Sequence, residues 1–254
     1  VFEPTRPIWI YYHVSDHPGW EDMIREKVEL MRKQGLWDSA QRIHFQLHYH
    51  PEAYTEWLQN EPFLQRDARI SHTLYHQQVA DTSYAPSFKP MGETYSVIEL
   101  AEDSAEWGPP HNAHVFRYST KGLTHRHDET WPTALAWNLY IDYWTIEQWR
   151  LCVQALEQGW DTSGANWHNG CWSGTIFWAQ QAWIRKLPRF LYPHDSSVLF
   201  GKQLDGFSPR HDAEHWIGQG SPKYYELDHY EHAVVYHVTP PNPKDYRHDQ
   251  RTET

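Results

Sequence analysis

The opening fifty residues alternate between two hydrophobic periods, and that alternation constrains the fold more than any other feature of the chain. Residues 7–14, PIWIYYHV, open on a proline and continue as an apolar, β-rich run of the kind an interior strand needs. SDHPGW follows as a loop. Over residues 20–34, Met23, Lys27, Leu30 and Met31 fall near helical spacing, acids come early and bases late, and Gly35 supplies the stop. QRIHFQLHYH then predicts a second strand. Strand, helix and strand in this order bring two parallel strands together through a crossover, so an α/β sheet is expected.

The rest of the chain extends this plan. Residues 52–64 suit a short helix, and the stretch from there to about Met91, interrupted by Pro86 and Pro90, gives no assignable element. ETYSVIELAEDSAEW predicts a helix with Val97, Leu100, Ala101 and Ser104 on one face, broken by Gly108-Pro109-Pro110. NAHVFRYSTKG supplies a third strand that enters a loop over residues 119–122. Residues 131–159 repeat apolar positions at three or four residues and predict helix, with a bend or split near Thr145. WDTSGANWHNGCWSG reads as loop, residues 175–179 as the start of a strand or helix, and AQQAWIRKLP as a helix closed by Pro188. Residues 190–221 are loop-rich with a short helix in RHDAEHWIG, and HAVVYHV is a late strand. Residues 1–238 are expected to form a single domain, and residues 239–254, which lack apolar periodicity, a mobile or surface-wrapped tail. No internal repeat is present.

A chain of 254 residues can bury one sizeable core. Its net charge of -11 repels phosphate backbones and anionic lipid surfaces, which argues against nucleic acid as a partner while leaving room for a local pocket that takes a phosphorylated small molecule. The 15 Trp, 16 Tyr and 19 His serve first as large amphipathic core residues, and the remainder suit a cleft for flat or ring-shaped ligands. Cys152 and Cys171, the only cysteines, form neither a disulfide framework nor a zinc knuckle. No apolar run is long enough to span a bilayer and no signal pattern opens the sequence, so a cytoplasmic location is expected.

Four segments in order, IYYHV, YSTKGLT, CWSGTIFWAQQAWIRKLP and RHDAEHWI, resemble a family of small glycosyltransferases found in polysaccharide-building gene sets of bacteria and large DNA viruses. KQGLWDSAQRI and LEQGWDTSGANW match the connecting pattern. The chain departs from it where Ser119 stands in place of a histidine, where Cys171-Trp172 replaces His and Phe or Tyr, and where Thr175-Ile176 replaces an Asn-aromatic pair. The resemblance implies a GT-A-like fold, a mixed sheet of Rossmann-type units flanked by helices. The sugar nucleotide would bind at the carboxyl ends of the strands, as in open α/β sheets generally.

The resemblance also implies roles. Tyr11, Tyr12 and His13 would receive the base and ribose of the donor, although strand alternation sends one of the two tyrosines into the sheet packing. Ser119, Lys121 and Gly122 would approach the diphosphate, with a Lys-Gly surface turn as the plain alternative. Ser173 and Gly174 would leave space for a sugar, with Asn166, Trp167 and Trp172 as sugar contacts, or would simply turn the chain into a buried element. Glu214 would act as base toward the acceptor hydroxyl, with Asp212 as its rival and Arg210 steadying the diphosphate, unless RHDAEHW is only a solvated surface helix.

The expected donor is a UDP- or GDP-type nucleotide sugar and the expected partner a glycan acceptor. Mn²⁺ or Mg²⁺ commonly assists such chemistry through an Asp-x-Asp pair, which this chain lacks. Other ligands must then hold the ion, or cations such as Lys121 and Arg126 replace it. The close pairs His125 and His127, beside Asp128 and Glu129, and His48 and His50 are metal candidates against a background rich in histidine. An inverting glycosyltransferase is therefore the leading expectation, a carbohydrate-binding protein without turnover the alternative, and a glycoside hydrolase a third class without a paired-acid signature.

Overall fold

The computed structural model describes residues 2–15, 17–49, 51–65, 67–76, 92–106, 112–120, 126, 129–168, 170–187, 214–229 and 242–247. Strand β1 (Ile8–Ser15) is followed by helix α1 (Trp20–Lys33), a helical turn α2 (Leu36–Ser39) and β2 (Ala40–Tyr49). Helices α3 (Pro51–Asn60) and α4 (Pro62–Gln65) lead to β3 (Ile70–His76), and α5 (Gly92–Glu106) to β4 (His114–Ser119). Helix α6 (Trp131–Asp142) runs through a π-helical turn, Tyr143–Glu147, into α7 (Trp149–Glu157). Then come β5 (Thr162–Gly164), the short pair β6 (Trp167–His168) and β7 (Cys171–Trp172), β8 (Phe177–Gln180), α8 (Gln181–Ile184), β9 (Tyr224–Glu226) and α9 (Pro243–Tyr246).

Seven of the strands form one mixed sheet in the order β3-β2-β1-β4-β8-β5-β9, flanked by helices. All run in one direction except β8, which is antiparallel to both β4 and β5. The expected α/β architecture is thus present. No helix among the described residues is long and apolar enough to cross a membrane.

Strand alternation splits the interior into two cores. Ile8, Ile10, Tyr12 and Val14 of β1 join Ile43, Phe45 and Leu47 of β2 and Phe116 and Tyr118 of β4 beneath α1, α6 and α7. Trp9 and Tyr11 face the other way, with Val115, Phe177 and Ala179, onto α5, α8 and Trp216. Covering both faces is what turns β1 into an almost unbroken apolar run. Lys27, which sits at an apolar helical position, is buried because its ammonium pairs with Asp142, whose other oxygen accepts the Tyr118 hydroxyl at 2.6 Å.

The split expected near Thr145 is the π-helical turn. The Gln148 N–H reaches back five residues to Tyr143 O at 2.8 Å, and the freed Thr145 carbonyl accepts the Trp178 indole at 2.9 Å.

Several elements differ from expectation. β3 lies in the stretch that offered no pattern, because its Ser71 and Thr73 face a polar cluster under α5 and erase the apolar alternation. The segment read as loop after α7 contains β5, β6 and β7, each too short to show a period. AQQAWIRKLP is mostly not helix: β8 takes Ala179 and Gln180, and α8 keeps only Gln181–Ile184, since a short apolar run buried on both sides reads alike in either state. In the tail, α9 anchors Tyr246 against Tyr140 and Tyr143 at ring separations of 5.3 and 5.2 Å. The late strand HAVVYHV and most of the 190–221 stretch lie outside the described residues.

Candidate ligand site at the carboxyl ends of the strands

The strand order reverses between β1 and β4: β2 and β3 extend the sheet to one side of β1, and β4 opens the other. Side chains at the carboxyl end of such a switch point face a crevice that neither crossover fills. His13 and Ser119 are paired in register there. The chain end is knitted together by the Thr120 N–H donating to His13 O at 3.1 Å and the Ser15 N–H donating to Thr120 Oγ1 at 3.0 Å. Ser15 Oγ lies 3.4 Å from His13 Nε2.

A tight turn, Ser173–Thr175, meets this end of the sheet. The Ser119 hydroxyl donates to Gly174 O at 3.3 Å, and the fully buried Arg117 donates to Thr175 O at 2.5 Å and to Ser96 Oγ at 2.7 Å. Gly174 has φ 68° and Thr175 φ 58°. A β-branched residue there is strained, at a cost of about 1–3 kcal/mol, so the surroundings must hold the turn in place. Asn166, with φ 56°, braces it from the other side: its amide donates to Ser173 Oγ at 2.8 Å and its carbonyl accepts the Ser173 N–H at 3.3 Å. The side-chain oxygen of Asn166 and the indole nitrogen of Trp172 are buried without a hydrogen-bond partner among the described residues.

The β6–β7 hairpin rises beside the turn at this same end, because β5 runs parallel to β4 and β8 returns antiparallel. Trp172 lies flat over Gly164, where a β-carbon would stand 3.1 Å from Trp172 Cε3. That contact is why β5 ends in glycine. Trp167 packs edge-on against Trp172 at 4.9 Å and stacks on Tyr224 at 4.7 Å and 18°. The Trp167 N–H donates to Glu226 Oε1 at 2.5 Å, and His229 Nδ1 lies 2.9 Å from the same oxygen.

Glu214 begins a helical turn completed by Trp216–Gly218, half-buried beside the hairpin. Burial holds the His168 imidazole below the ordinary histidine range, while the Asn166 carbonyl, Glu214 and Glu226 pull the other way. His168 thus senses carboxylates from two separate segments.

Tyr11 and Tyr12 are placed differently from expectation. Both are fully buried, one on each face of the sheet. Tyr11 donates its hydroxyl to Asp103 at 2.8 Å, and Tyr12 stacks on Phe45 at 5.5 Å and 24°. Burial raises both hydroxyl pKa values well above the usual tyrosine range. Neither ring offers an open face to a base, since covering both sides of the sheet consumes the residue on each side of the strand.

Arg126 packs over Gly19, donates to its carbonyl at 2.7 Å and lies 3.9 Å from Asp22, at the first turn of α1. Its charge is therefore shared with an acid at the start of that helix. Lys121, Gly122, Arg210 and Asp212 lie outside the described residues, as do His125, His127, Asp128 and His50; for His48 only the backbone is described. Glu129 is exposed. Among the described residues no group of three or more His, Cys, Asp or Glu side chains is gathered as a metal site, and the described end of β4 carries hydroxyls rather than carboxylates.

Of the expected site, the structure brings His13, Ser119, Asn166, Trp167, Trp172, Ser173 and Gly174 to one end of the sheet, with Glu214 beside them. Sequence reasoning missed Tyr224 and Glu226, because β9 is too short to show a period, and His229, which follows that strand outside any helix or strand. Comparisons with models of protein families, with curated proteins and with solved structures found no match to this chain.

Proposed function

We propose that the chain is a glycosyltransferase of GT-A-like fold that moves a monosaccharide from a nucleotide-diphosphate sugar to a glycan hydroxyl with inversion. The observation that carries the reading is the meeting of the His13–Ser119 pair with the strained Ser173–Thr175 turn at the switch point. A nucleotide placed there would meet a hydroxyl and an imidazole from two strands and the backbone of a turn that keeps no large side chain. The sequence resemblance adds Lys121, Gly122 and Arg210 as diphosphate partners.

In this mechanism the acceptor oxygen attacks the anomeric carbon from the face opposite the diphosphate. The new glycosidic C–O bond forms as the bond to the leaving phosphate oxygen breaks, and its electron pair departs with the nucleoside diphosphate. The acceptor proton passes to a carboxylate, assigned to Glu214 with Asp212 as the alternative. A carboxylate is a weak base toward a ground-state hydroxyl but takes the proton late, when the oxygen has lost electron density. No step is assigned to a divalent ion.

A carbohydrate-binding protein without turnover is the second reading, favoured by the half-exposed Trp167–Tyr224 stack. A panel of UDP- and GDP-sugars separates the two. A transferase hydrolyses one donor slowly and releases its nucleoside diphosphate, and Glu214→Gln stops this while leaving donor affinity nearly intact. Binding of glycans with no release from any donor favours the second reading.

A further inference from the structure

Beyond the switch point, β9 continues the same face of the sheet. Pairing across β4, β8, β5 and β9 puts Arg117, Phe177, Ala179, Thr162, Tyr224, Gly164 and Glu226 on one side. That is also the side of His13 and Ser119. Tyr224 is 42 % exposed although it stacks on Trp167, and its contact with the edge of the buried Trp172, at 6.2 Å and 83°, fixes the pair in place. Two residues on, both hydrogen bonds to Glu226 go to Oε1, so Oε2 has no hydrogen-bond partner among the described residues. His229, exposed, stands beside it.

From this arrangement we infer that Trp167, Tyr224, Glu226 and His229 form a saccharide subsite, the place where the acceptor glycan is held; as an acceptor site it rests on the transferase reading. A pyranose presents a face of C–H bonds with partial positive charge, which suits the electron-rich face of a fixed aromatic pair. Its equatorial hydroxyls point outward from the ring edge, where a carboxylate accepts from two adjacent hydroxyls and an imidazole bonds a third. A purely apolar partner would cover Glu226 Oε2 without giving it a hydrogen bond. The platform shares its face with the Ser173–Gly174 turn, which the bracing Asn166 links to it through the adjacent Trp167, so a glycan lying across Tyr224 can extend a terminal hydroxyl toward the donor.

The test uses the whole chain on an array of immobilised bacterial and eukaryotic oligosaccharides, without nucleotide, followed by titration of the best free oligosaccharide with tryptophan fluorescence as readout. Wild type is expected to bind and to change its emission. Tyr224→Ala should weaken binding by about tenfold or more, equivalent to about 1.4 kcal/mol, and Glu226→Gln should weaken it severalfold. UDP and GDP affinities, measured separately by calorimetry, should be the same in all three proteins. Equal glycan binding by Tyr224→Ala and wild type, or no binding to any glycan, overturns the subsite. So does a concentration-dependent dimer that Tyr224→Ala converts to monomer, since a second copy would then be the occupant. Glycan binding lost in Tyr224→Ala with no nucleotide affinity anywhere keeps the subsite and removes the transferase reading instead.

Discussion

His13 and Ser119 stand opposite each other across the β1–β4 junction, where the strand order reverses. The Ser119 hydroxyl turns to the Gly174 carbonyl, so a single residue couples the switch point to the strained turn. Arg117 anchors the neighbouring Thr175 carbonyl from the same strand. Under the proposed function, this end of the sheet is where the nucleotide would lie.

The polar cluster under α5 should make stability depend on acid. Burial alone would raise the Glu99 pKa, but hydrogen bonds from His44, Thr73 and Gln46 outweigh it and hold the carboxyl down at about 2. A folded pKa below the unfolded one gives stability that is present above about pH 4.5 and lost as pH falls toward 2. Chemical denaturation at pH 7 and pH 3 should show Glu99→Gln destabilised at the higher pH and by less than half as much at the lower. A constant difference at both would reject this assignment.

Lys27 and Asp142 form a buried pair with Tyr118 as a third member. Lys27→Met leaves the Asp142 charge without its partner, and the expected loss is about 3 to 5 kcal/mol of unfolding free energy. Lys27→Met with Asp142→Asn should recover much of that loss. Additive losses in the double mutant, measured by urea unfolding, would show that the pair does not act as a unit.

Gly164 gives Trp172 its seat. An alanine β-carbon would stand 3.1 Å from Trp172 Cε3, and the indole is fully buried with little room to retreat. Gly164→Ala is expected to cost about 1 to 3 kcal/mol through overpacking. It should also shift Trp167, and with it the emission change on glycan binding. Wild-type stability together with a wild-type glycan response would mean that Trp172 is free to adjust.

Much of this was legible in the chain because periodicity reports burial. Helix α1, strand β2 and the helix over residues 92–106 show their period because each buries a long face, and β1 stands out as an apolar run because both of its faces are covered. β3 was hidden because His44 and Glu99 give Ser71 and Thr73 on its inner face polar partners, and β5 to β7 because two or three residues carry no period. At the candidate site, Ser173 and Gly174 stood out as small residues inside a tryptophan-rich run, whereas Glu226 and Tyr224 carried no local signal. Tyr11 and Tyr12 misled because a sheet covered on both faces buries neighbours that would otherwise divide between core and ligand.

Calorimetric titration of UDP and GDP into wild type and Ser119→Ala, each with and without Mn²⁺, tests the central claim most directly. A ligand site at the β1–β4 switch point predicts that one of the two nucleotides binds the wild type with a stoichiometry of one and that Ser119→Ala weakens it by about tenfold. Absence of heat from either nucleotide under all conditions, or affinity indifferent to Ser119, would contradict it.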